Sequence, residues 1–170
     1  VKEFEKKWSK WLGVKHSTFV NSGSSANLIS LHVLKELKKN KTEVILPAFT
    51  WNSDVVSVLN AGFKPIFVDI KLKNLALDEE RVKKKINKKT AAIFLTHAMG
   101  FAGISSDFLR FIKKKKIFLI EDVCESHGAT LKNKKLGSLG NISNFSFYYA
   151  HHITTIEGGM ICTNSKQIDS

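Results

Sequence analysis

The spacing of apolar positions alternates along the chain between two periods, and this alternation predicts the architecture. Apolar residues at helical spacing predict helices over residues 2–12, 24–38, 52–61, 78–86 and 106–115. Short apolar runs between them predict strands over residues 17–21, 43–46, 65–69, 91–95, 117–120, 144–149 and 159–163. Strands that alternate with helices indicate an α/β protein whose mostly parallel sheet is flanked by helices on both faces.

Residues that cap helices or interrupt strands mark the ends of several predicted elements. Ser24 or Ser25 is expected to cap the second helix, Pro47 to end the second strand and Gly62 to follow the third helix. Ligands of parallel sheets bind beyond the carboxyl ends of the strands. The residues that follow each strand are therefore the candidates for chemistry.

The segment after the first strand, Asn-Ser-Gly-Ser-Ser at 21–25, is a turn of small residues that opens a helix. Gly23 allows close backbone approach, and the hydroxyls of Ser24 and Ser25 would join the helix N-terminus in an anion site. The segment lacks the Gly-Lys-Ser of a Walker loop and the glycine spacing of dinucleotide-binding turns. An ordinary capped helix explains it equally well.

Three further strand ends carry residues that could bind a ligand or take part in catalysis. Trp51 could offer a flat face to a planar ligand, although an aromatic core residue is the commoner explanation. Glu121 and Asp122 end an apolar strand, where a buried carboxylate requires an ion pair, a cap or a protonated heteroaromatic N–H. His151 and His152 follow the strand predicted over 144–149; histidine suits proton transfer near neutral pH, but two structural histidines are the commoner case.

Composition narrows the functional classes. The net charge of +12 comes from 27 basic residues, of which all but Arg81 and Arg110 are lysine, scattered along the chain. This pattern favours a hydrated surface over a nucleic-acid site. No apolar run reaches membrane-spanning length, the N-terminus lacks a signal-type apolar region, and two cysteines form no disulfide framework, so a cytoplasmic protein is expected without a membrane partner. No spacing of histidine and cysteine indicates a metal site.

Taken in order, seven segments resemble the DegT/DnrJ/EryC1/StrS family, whose members use pyridoxal phosphate (PLP) and act on nucleotide-linked keto sugars. They are the turn at 21–25, Pro-Ala-Phe-Thr-Trp at 47–51, Val-Asp-Ile at 68–70, Glu-Asp-Val-Cys-Glu-Ser-His-Gly-Ala at 121–129, Gly-Ser-Leu-Gly at 137–140, Phe-Ser-Phe at 145–147 and Glu-Gly-Gly at 157–159. The resemblance covers nearly the whole chain. It implies the large cofactor-binding domain of a fold-type I PLP-dependent transferase. Because family members are longer, it also implies that residues 1–170 are a fragment without the small C-terminal domain.

The resemblance implies a set of cofactor contacts. Trp51 would stack on the pyridine ring, Asp122 would pair with the protonated ring nitrogen, and Glu125 would lie near the ring hydroxyl, where aminotransferases of the family have Gln or His. The residues expected to hold the cofactor phosphate are Gly23, Ser24, Ser25 and Ser146.

One position departs from the aminotransferases of the family. The residue six after Phe145 is there the lysine that links covalently to PLP, and here it is His151, which cannot form that link. The departure resembles a branch of sugar 3-dehydratases that use pyridoxamine phosphate (PMP), with the histidine as catalytic base. It implies a nucleotide-linked 4-keto-6-deoxyhexose as substrate, glutamate as amino donor and a homodimer with a shared active site. His152 has no implied role.

Three alternatives remain open. A regulatory or binding protein without enzymatic activity could have kept the fold, although the presence of Trp51, Asp122 and Ser146 argues against it. An aminotransferase could tolerate histidine at position 151. An iron–sulfur-dependent 3-dehydrase has the same histidine, and its cluster cysteines would lie after Ser170.

Overall fold

The computed structural model describes residues 1–169, which form a seven-stranded sheet with helices on both sides. In chain order the elements are α1 (Lys2–Leu12), β1 (His16–Val20), α2 (Gly23–Leu37), β2 (Glu43–Pro47), α3 (Asn52–Asn60), β3 (Lys64–Val68), β4 (Ile70–Lys71), β5 (Ala76–Leu77), α4 (Glu79–Lys85), β6 (Thr90–Thr96), a 3-10 turn (Ala98–Gly100), α5 (Ser106–Lys114), β7 (Phe118–Asp122), β8 (Thr130–Leu131), β9 (Lys134–Lys135), β10 (Ile142–Ser146), β11 (Gly159–Thr163) and α6 (Lys166–Asp169).

The central sheet is mostly parallel. Its strand order is β1-β11-β10-β7-β6-β2-β3. The pairs β10–β7, β7–β6, β6–β2 and β2–β3 are parallel, and β11 alone runs antiparallel to its neighbours β1 and β10. The predicted fold class is thereby confirmed. Six of the seven strands, all except β11, therefore run in the same direction and end at the same edge of the sheet. The residues that follow these strands are brought together at that edge.

Alternating side chains of the strands build a core on each face of the sheet. In β6, Ala92 and Phe94 face the helices α2 and α3, whereas Ile93 and Leu95 face α1, α4 and α5. Period-two alternation with both faces apolar is what a covered sheet requires. No helix within residues 1–169 is long and apolar enough to cross a membrane.

Register aligns three polar residues at the carboxyl end of the sheet. Asp122 of β7 lies opposite Asn144 of β10 and opposite Thr96 of β6. The three residues form one row across neighbouring strands, on the face that α2 and α3 cover. The row lies next to the apolar core of that face, and its polar side chains point toward the two helices.

Several predicted boundaries differ from the structure, and two of them concern the site. Helix α2 begins at Gly23, and its cap is Ser22, whose Oγ accepts the Ser25 N–H at 3.1 Å, instead of Ser24 or Ser25. The strand predicted over 144–149 is β10, which runs from Ile142 to Ser146, because its pairing with β11 ends where Ser146 meets Gly159. The hairpins β4–β5 and β8–β9 and the short helix α6 lack a periodic pattern and were not predicted.

Candidate active site

A cavity of about 840 Å³ opens at the carboxyl edge of the parallel strands. Its walls come from segments that are distant in sequence: the start of α2, the segment between β2 and α3, and the loops after β6, β7 and β10. The predicted site residues that line it are Gly23, Ser24, Trp51, Asp122, Glu125, Ser146 and His151. Ser25 is the one predicted site residue outside this lining.

The start of α2 forms one end of the cavity. Ser22 caps the helix by accepting the Ser25 N–H, and its Oγ also lies 3.0 Å from Ser25 Oγ. Ser25 is thereby engaged in the cap, whereas the N–H groups of Gly23 and Ser24 have no intrahelical acceptor. These free donors and the positive end of the helix dipole suit an anion.

Ser146 completes this end of the cavity because β10 passes directly against Gly23. A Cβ placed on Gly23 would lie 2.6 Å from the Cβ of Ser146, closer than side chains pack. Glycine at position 23 therefore lets the Ser146 hydroxyl approach the first N–H groups of α2. The two segments that the resemblance linked to the cofactor phosphate converge here.

The Glu-Gly-Gly turn supports the start of α2 from behind. A Cβ on Gly159 would lie 2.2 Å from the carbonyl oxygen of Ser22. Only a residue without a side chain fits there, because the obstacle is backbone and cannot rotate away. The turn that precedes β11 thus sets the position of the helix N-terminus.

Substituting Gly159 with alanine is expected to destabilise the protein by about 1–3 kcal/mol and to weaken PMP binding, since the added methyl displaces Ser22. Urea denaturation and titration with PMP measure the two effects. Gly13→Ala is the control: Gly13 has φ +84° but no atom within 4 Å of an added Cβ, so it suffers backbone strain alone. Equal PMP affinity of the two variants would contradict the role of the turn.

The two carboxylates at the end of β7 have different environments. Glu121 is fully buried, and its oxygens accept the N–H groups of Gly137, Leu139 and Gly140 at 2.7–3.0 Å. His97 Nε2 lies 3.0 Å from the same carboxylate, and its Nδ1 accepts the Gly103 N–H, so Nε2 carries the proton. The partners of Glu121 are structural.

Asp122 is the carboxylate that faces the cavity. Its Oδ1 accepts the N–H of Cys124 at 2.9 Å, and its Oδ2 accepts an amide N–H of Asn27 at 3.0 Å. The residue is 4% exposed. A nearly buried carboxylate with an open side toward a cavity is suited to a cationic N–H donor.

Trp51 and Glu125 both line the cavity. Trp51 precedes α3 and is 68% exposed, so it is no core residue and its ring is available for stacking. Glu125 Oε2 accepts the N–H of Met99 at 3.2 Å, which orients the carboxylate from the turn after β6.

His151 lies in the loop between β10 and β11. Phe147 closes this loop by donating its N–H to the Gly158 carbonyl and accepting the Thr155 N–H, and the His151 N–H donates to the Tyr148 carbonyl. The imidazole is half-buried, and this burial lowers the pKa of His151 below the usual 6.5, while Asp122 and Glu125 oppose the shift. The ring is therefore neutral at neutral pH.

The other two histidines near His151 stay outside the cavity lining. His152 is exposed, with its ring 6.2 Å from that of His127. His127 packs against Phe145, and burial, followed by the nearby His151 and His152, lowers its pKa to about 4. The ring of His127 is therefore neutral near pH 7.

Several polar residues of the site were not predicted from the sequence. Asn27 and Thr50 line the cavity, as does Thr96, and Asp54 lies directly beneath it. The one available signal was spacing: Asn27 lies four residues after Gly23, hence on the same face of α2. Asp54 had no comparable signal, because two of its three partners, Thr96 and Asn27, belong to β6 and α2.

The donor set at this edge of the sheet has a definite chemical preference. Free N–H groups and hydroxyls at one end suit an anion, an exposed indole suits a flat ring, and the carboxylate of Asp122 suits a protonated ring nitrogen. A ligand that combines a phosphate with a cationic aromatic ring matches all three. Within residues 1–169, no cluster of three or more His, Cys, Asp or Glu side chains is placed to hold a metal ion.

Known proteins of this architecture include sugar-modifying enzymes. A GDP-4-keto-6-deoxy-D-mannose 3-dehydratase of Yersinia pseudotuberculosis is 37% identical over 172 residues, which cover 99% of this chain and 44% of the relative. A GDP-perosamine synthase of Vibrio cholerae is 35% identical over 168 residues, which cover 99% and 45%. A solved structure of GDP-4-keto-6-deoxymannose-3-dehydratase with a trapped PLP–glutamate geminal diamine matches with a TM-score of 0.92 at 35% identity, covering 99% and 45%. The chain thus spans less than half the length of these relatives.

The profile of the DegT/DnrJ/EryC1/StrS aminotransferase family matches residues 1–170. The match includes every segment on which the resemblance rests, from the small-residue turn at 21–25 to the Glu-Gly-Gly turn at 157–159. The chain belongs to the DegT/DnrJ/EryC1/StrS aminotransferase family.

Proposed function

We propose that this protein is a PLP/PMP-dependent enzyme that removes the C3 hydroxyl of a nucleotide-linked 4-keto-6-deoxyhexose, with His151 as the catalytic base. The observation that carries the proposal is the side chain at position 151. A half-buried imidazole faces a cavity that also has an anion site and a carboxylate, and no lysine is among the described residues that line it. The cavity therefore offers a base where an aminotransferase offers a covalent anchor.

The cofactor site is proposed from the residues that surround the cavity. The N–H groups of Gly23 and Ser24, with the hydroxyls of Ser24 and Ser146, would bind the phosphate. Ser25 would contribute indirectly, through its contact with the capping Ser22. Trp51 would stack on the ring, and Glu125 would lie near the ring hydroxyl.

Asp122 would pair with the ring nitrogen and keep it protonated. A carboxylate held by two N–H donors in a nearly buried position stabilises an adjacent cation far more than an exposed carboxylate does. When bound, PMP supplies an amine that condenses with the C4 ketone and a ring that accepts electrons.

His151 would perform the proton transfer. Its neutral ring has a nitrogen lone pair that can accept the proton from the C4′ carbon of the cofactor, and the resulting imidazolium would lie near the carboxylates of Asp122 and Glu125. The same proton could then be delivered to the departing C3 hydroxyl. A lysine at this position would instead capture the cofactor's aldehyde.

The pH dependence of the reaction follows from the environment of His151. Because burial lowers its pKa, the histidine stays neutral to a lower pH than an exposed one. The rate is expected to be constant through neutral pH and to fall only on the acid side, with a midpoint below 6.5. A profile of kcat/KM against pH measures this; a fall that begins above pH 7 would contradict a neutral histidine base.

Substrate and assembly are proposed from the relatives. The dehydratase of Yersinia pseudotuberculosis has a GDP-linked keto sugar in its name, and the solved structure has PLP joined to glutamate. A GDP-linked 4-keto-6-deoxyhexose is thus our first choice of substrate, with glutamate as amino donor. A cytoplasmic homodimer with a shared active site, and the division of the chain into domains, remain predictions.

The decisive experiment incubates the full-length protein with PLP, glutamate and GDP-4-keto-6-deoxymannose. We expect a 3-deoxy sugar and release of ammonia. Accumulation of a 4-amino sugar that retains its C3 hydroxyl would show an aminotransferase, the activity for which the perosamine synthase at 35% identity is the precedent. A product formed only from a CDP-linked sugar, and only with an iron–sulfur cluster and a reductant, would show the iron–sulfur-dependent CDP-4-keto-6-deoxyglucose 3-dehydrase instead.

A further inference from the structure

A second carboxyl group lies beneath the cavity, behind the carboxylate of Asp122. Asp54 belongs to the first turn of α3 and is fully buried. Its Oδ2 accepts hydrogen bonds from the hydroxyls of Thr50 and Thr96, and its Oδ1 accepts an amide N–H of Asn27 at 2.7 Å. The cofactor contacts proposed above leave this carboxyl unexplained.

Asn27 connects Asp54 to Asp122 with its side-chain amide. Its Nδ2 donates to Asp54 Oδ1 at 2.7 Å and to Asp122 Oδ2 at 3.0 Å. An amide nitrogen has two hydrogens, so each carboxyl receives one. Because the angle between the two N–H bonds is fixed, the amide constrains where the two carboxyl groups lie relative to each other.

The orientation of Asn27 is itself determined by the rest of the polar row. Its Oδ1 accepts an N–H of Asn144 at 2.9 Å, and Asn144 Oδ1 accepts the hydroxyl of Ser30 at 2.7 Å. Rotating the Asn27 amide by half a turn would place an oxygen against two carboxyl groups and an N–H against another N–H. The chain of hydrogen bonds thus permits a single orientation.

The buried environment of Asp54 disfavours a charge on its carboxyl group. Burial, and then repulsion from Asp122, raise the pKa of Asp54 well above its usual value. Cys124, the other titratable group near the pair, has a pKa raised by burial and stays a neutral thiol. The shift favours the uncharged carboxylic acid form of Asp54, whose proton one of the neighbouring threonine hydroxyls can accept.

We propose that Asp54 is a positioning residue of the cofactor site, which acts through the Asn27 amide to orient the Asp122 carboxylate toward the protonated ring nitrogen. The inference rests on the proposed function, because it requires the cofactor to bind above Asp122. Loss of Asp54 would remove one of the hydrogen bonds that hold the Asn27 amide, and the hydrogen bond that Asn27 donates to Asp122 would then be held less firmly in direction. The ring N–H⁺ would then be stabilised less.

The experiment compares Asp54→Ala with Asp54→Asn in the full-length protein. Two quantities are measured: the dissociation constant of PMP, and the midpoint pH at which the absorbance of bound PMP reports loss of the ring proton. We expect Asp54→Ala to raise the dissociation constant roughly tenfold and to move the midpoint about one unit toward lower pH. Asp54→Asn has the size and neutrality of the protonated acid and is expected to stay within about threefold of the wild type, with an unchanged midpoint.

Two further variants separate positioning from general destabilisation. Ser143→Ala removes a buried hydroxyl that donates to the Gly137 carbonyl at 2.6 Å, away from the cavity lining, and is expected to lower stability without changing the midpoint. Asn27→Ala removes the connecting amide and is expected to show the same rise in the dissociation constant and the same shift of the midpoint as Asp54→Ala. It provides the test if Asp54→Ala does not fold.

Several outcomes would overturn the inference. Wild-type affinity and midpoint in Asp54→Ala or Asn27→Ala would show that the connection has no influence on the ring nitrogen. An equal loss in Asp54→Asn would show that Asp54 acts as a charged carboxylate. Failure of the wild-type protein to bind PMP would overturn both this inference and the proposed function. The two results with the variants would overturn only the inference and leave the proposed function intact.

Discussion

Replacing His151 with asparagine is expected to slow C3 dehydration by about 10²- to 10⁴-fold, the contribution of a positioned acid–base group. Asparagine retains a polar side chain of similar reach but has no titratable nitrogen. PMP affinity is expected to change by less than about threefold, because the phosphate, ring and ring-nitrogen contacts belong to other residues. Product formation from GDP-4-keto-6-deoxymannose and titration with PMP measure the two effects in the full-length protein.

A lysine at the same position tests the chemical reason for the histidine. The variant His151→Lys is expected to abolish dehydration and to retain PLP covalently after borohydride reduction, which mass spectrometry detects as an added mass. His152→Asn is the matched control, since the neighbouring His152 is exposed and outside the cavity lining, and its rate is expected to stay near that of the wild type. Undiminished dehydration by His151→Asn would exclude His151 as the base.

Substitution of Asp122 by asparagine is expected to lower the rate by about 10²- to 10³-fold, the usual loss when one preorganised electrostatic partner is removed. The amide has the shape of the carboxylate but no charge, so it cannot hold a proton on the ring nitrogen. The Cys124 N–H can still donate to the amide oxygen, which limits the structural damage. We also expect weaker PMP binding and a ring-proton midpoint at lower pH.

The control for Asp122 is an aspartate of the surface. Asp107 lies in the first turn of α5 and pairs with Arg110, and both side chains are largely exposed. Asp107→Asn removes one negative charge at a distance from the cavity lining and is expected to leave the rate and the PMP affinity unchanged. If Asp122→Asn also retained wild-type activity, the proposed pairing with the ring nitrogen would be wrong.

Much of the fold was predictable because its signals are local. The period of apolar residues is a property of ten to fifteen neighbouring positions, and it correctly predicted the helices and strands of the central sheet. Termini were less accurate where the deciding contact is distant: β10 ends at Ser146 because Gly159 is its last partner on β11. The cap of α2 is Ser22 and not Ser24 or Ser25, although its contact with Ser25 is local, because a run of adjacent serines does not show which of them precedes the first helical residue.

The site was predictable to the extent that its residues follow strands. Asp122 is the last residue of β7, and residues 21–25, Trp51 and His151 follow other strands. Parallel strands bring their carboxyl ends together. Their order along the chain identified the family, and the family match confirmed that identification. The individual roles of these residues stay predictions until the variants are measured.

The amino-acid sequence by itself determined the α/β architecture, the family and the histidine at position 151, because periodicity and residue identity are written along the chain. Only the tertiary structure decided which of the two adjacent carboxylates, Glu121 or Asp122, faces the cavity, and that Ser25 supports the cap while Ser24 lines the wall. It also joined Asn27 and Asp54 to Asp122. These relations depend on strand register and on how two helices cover one face of the sheet, and neither is set by neighbouring residues.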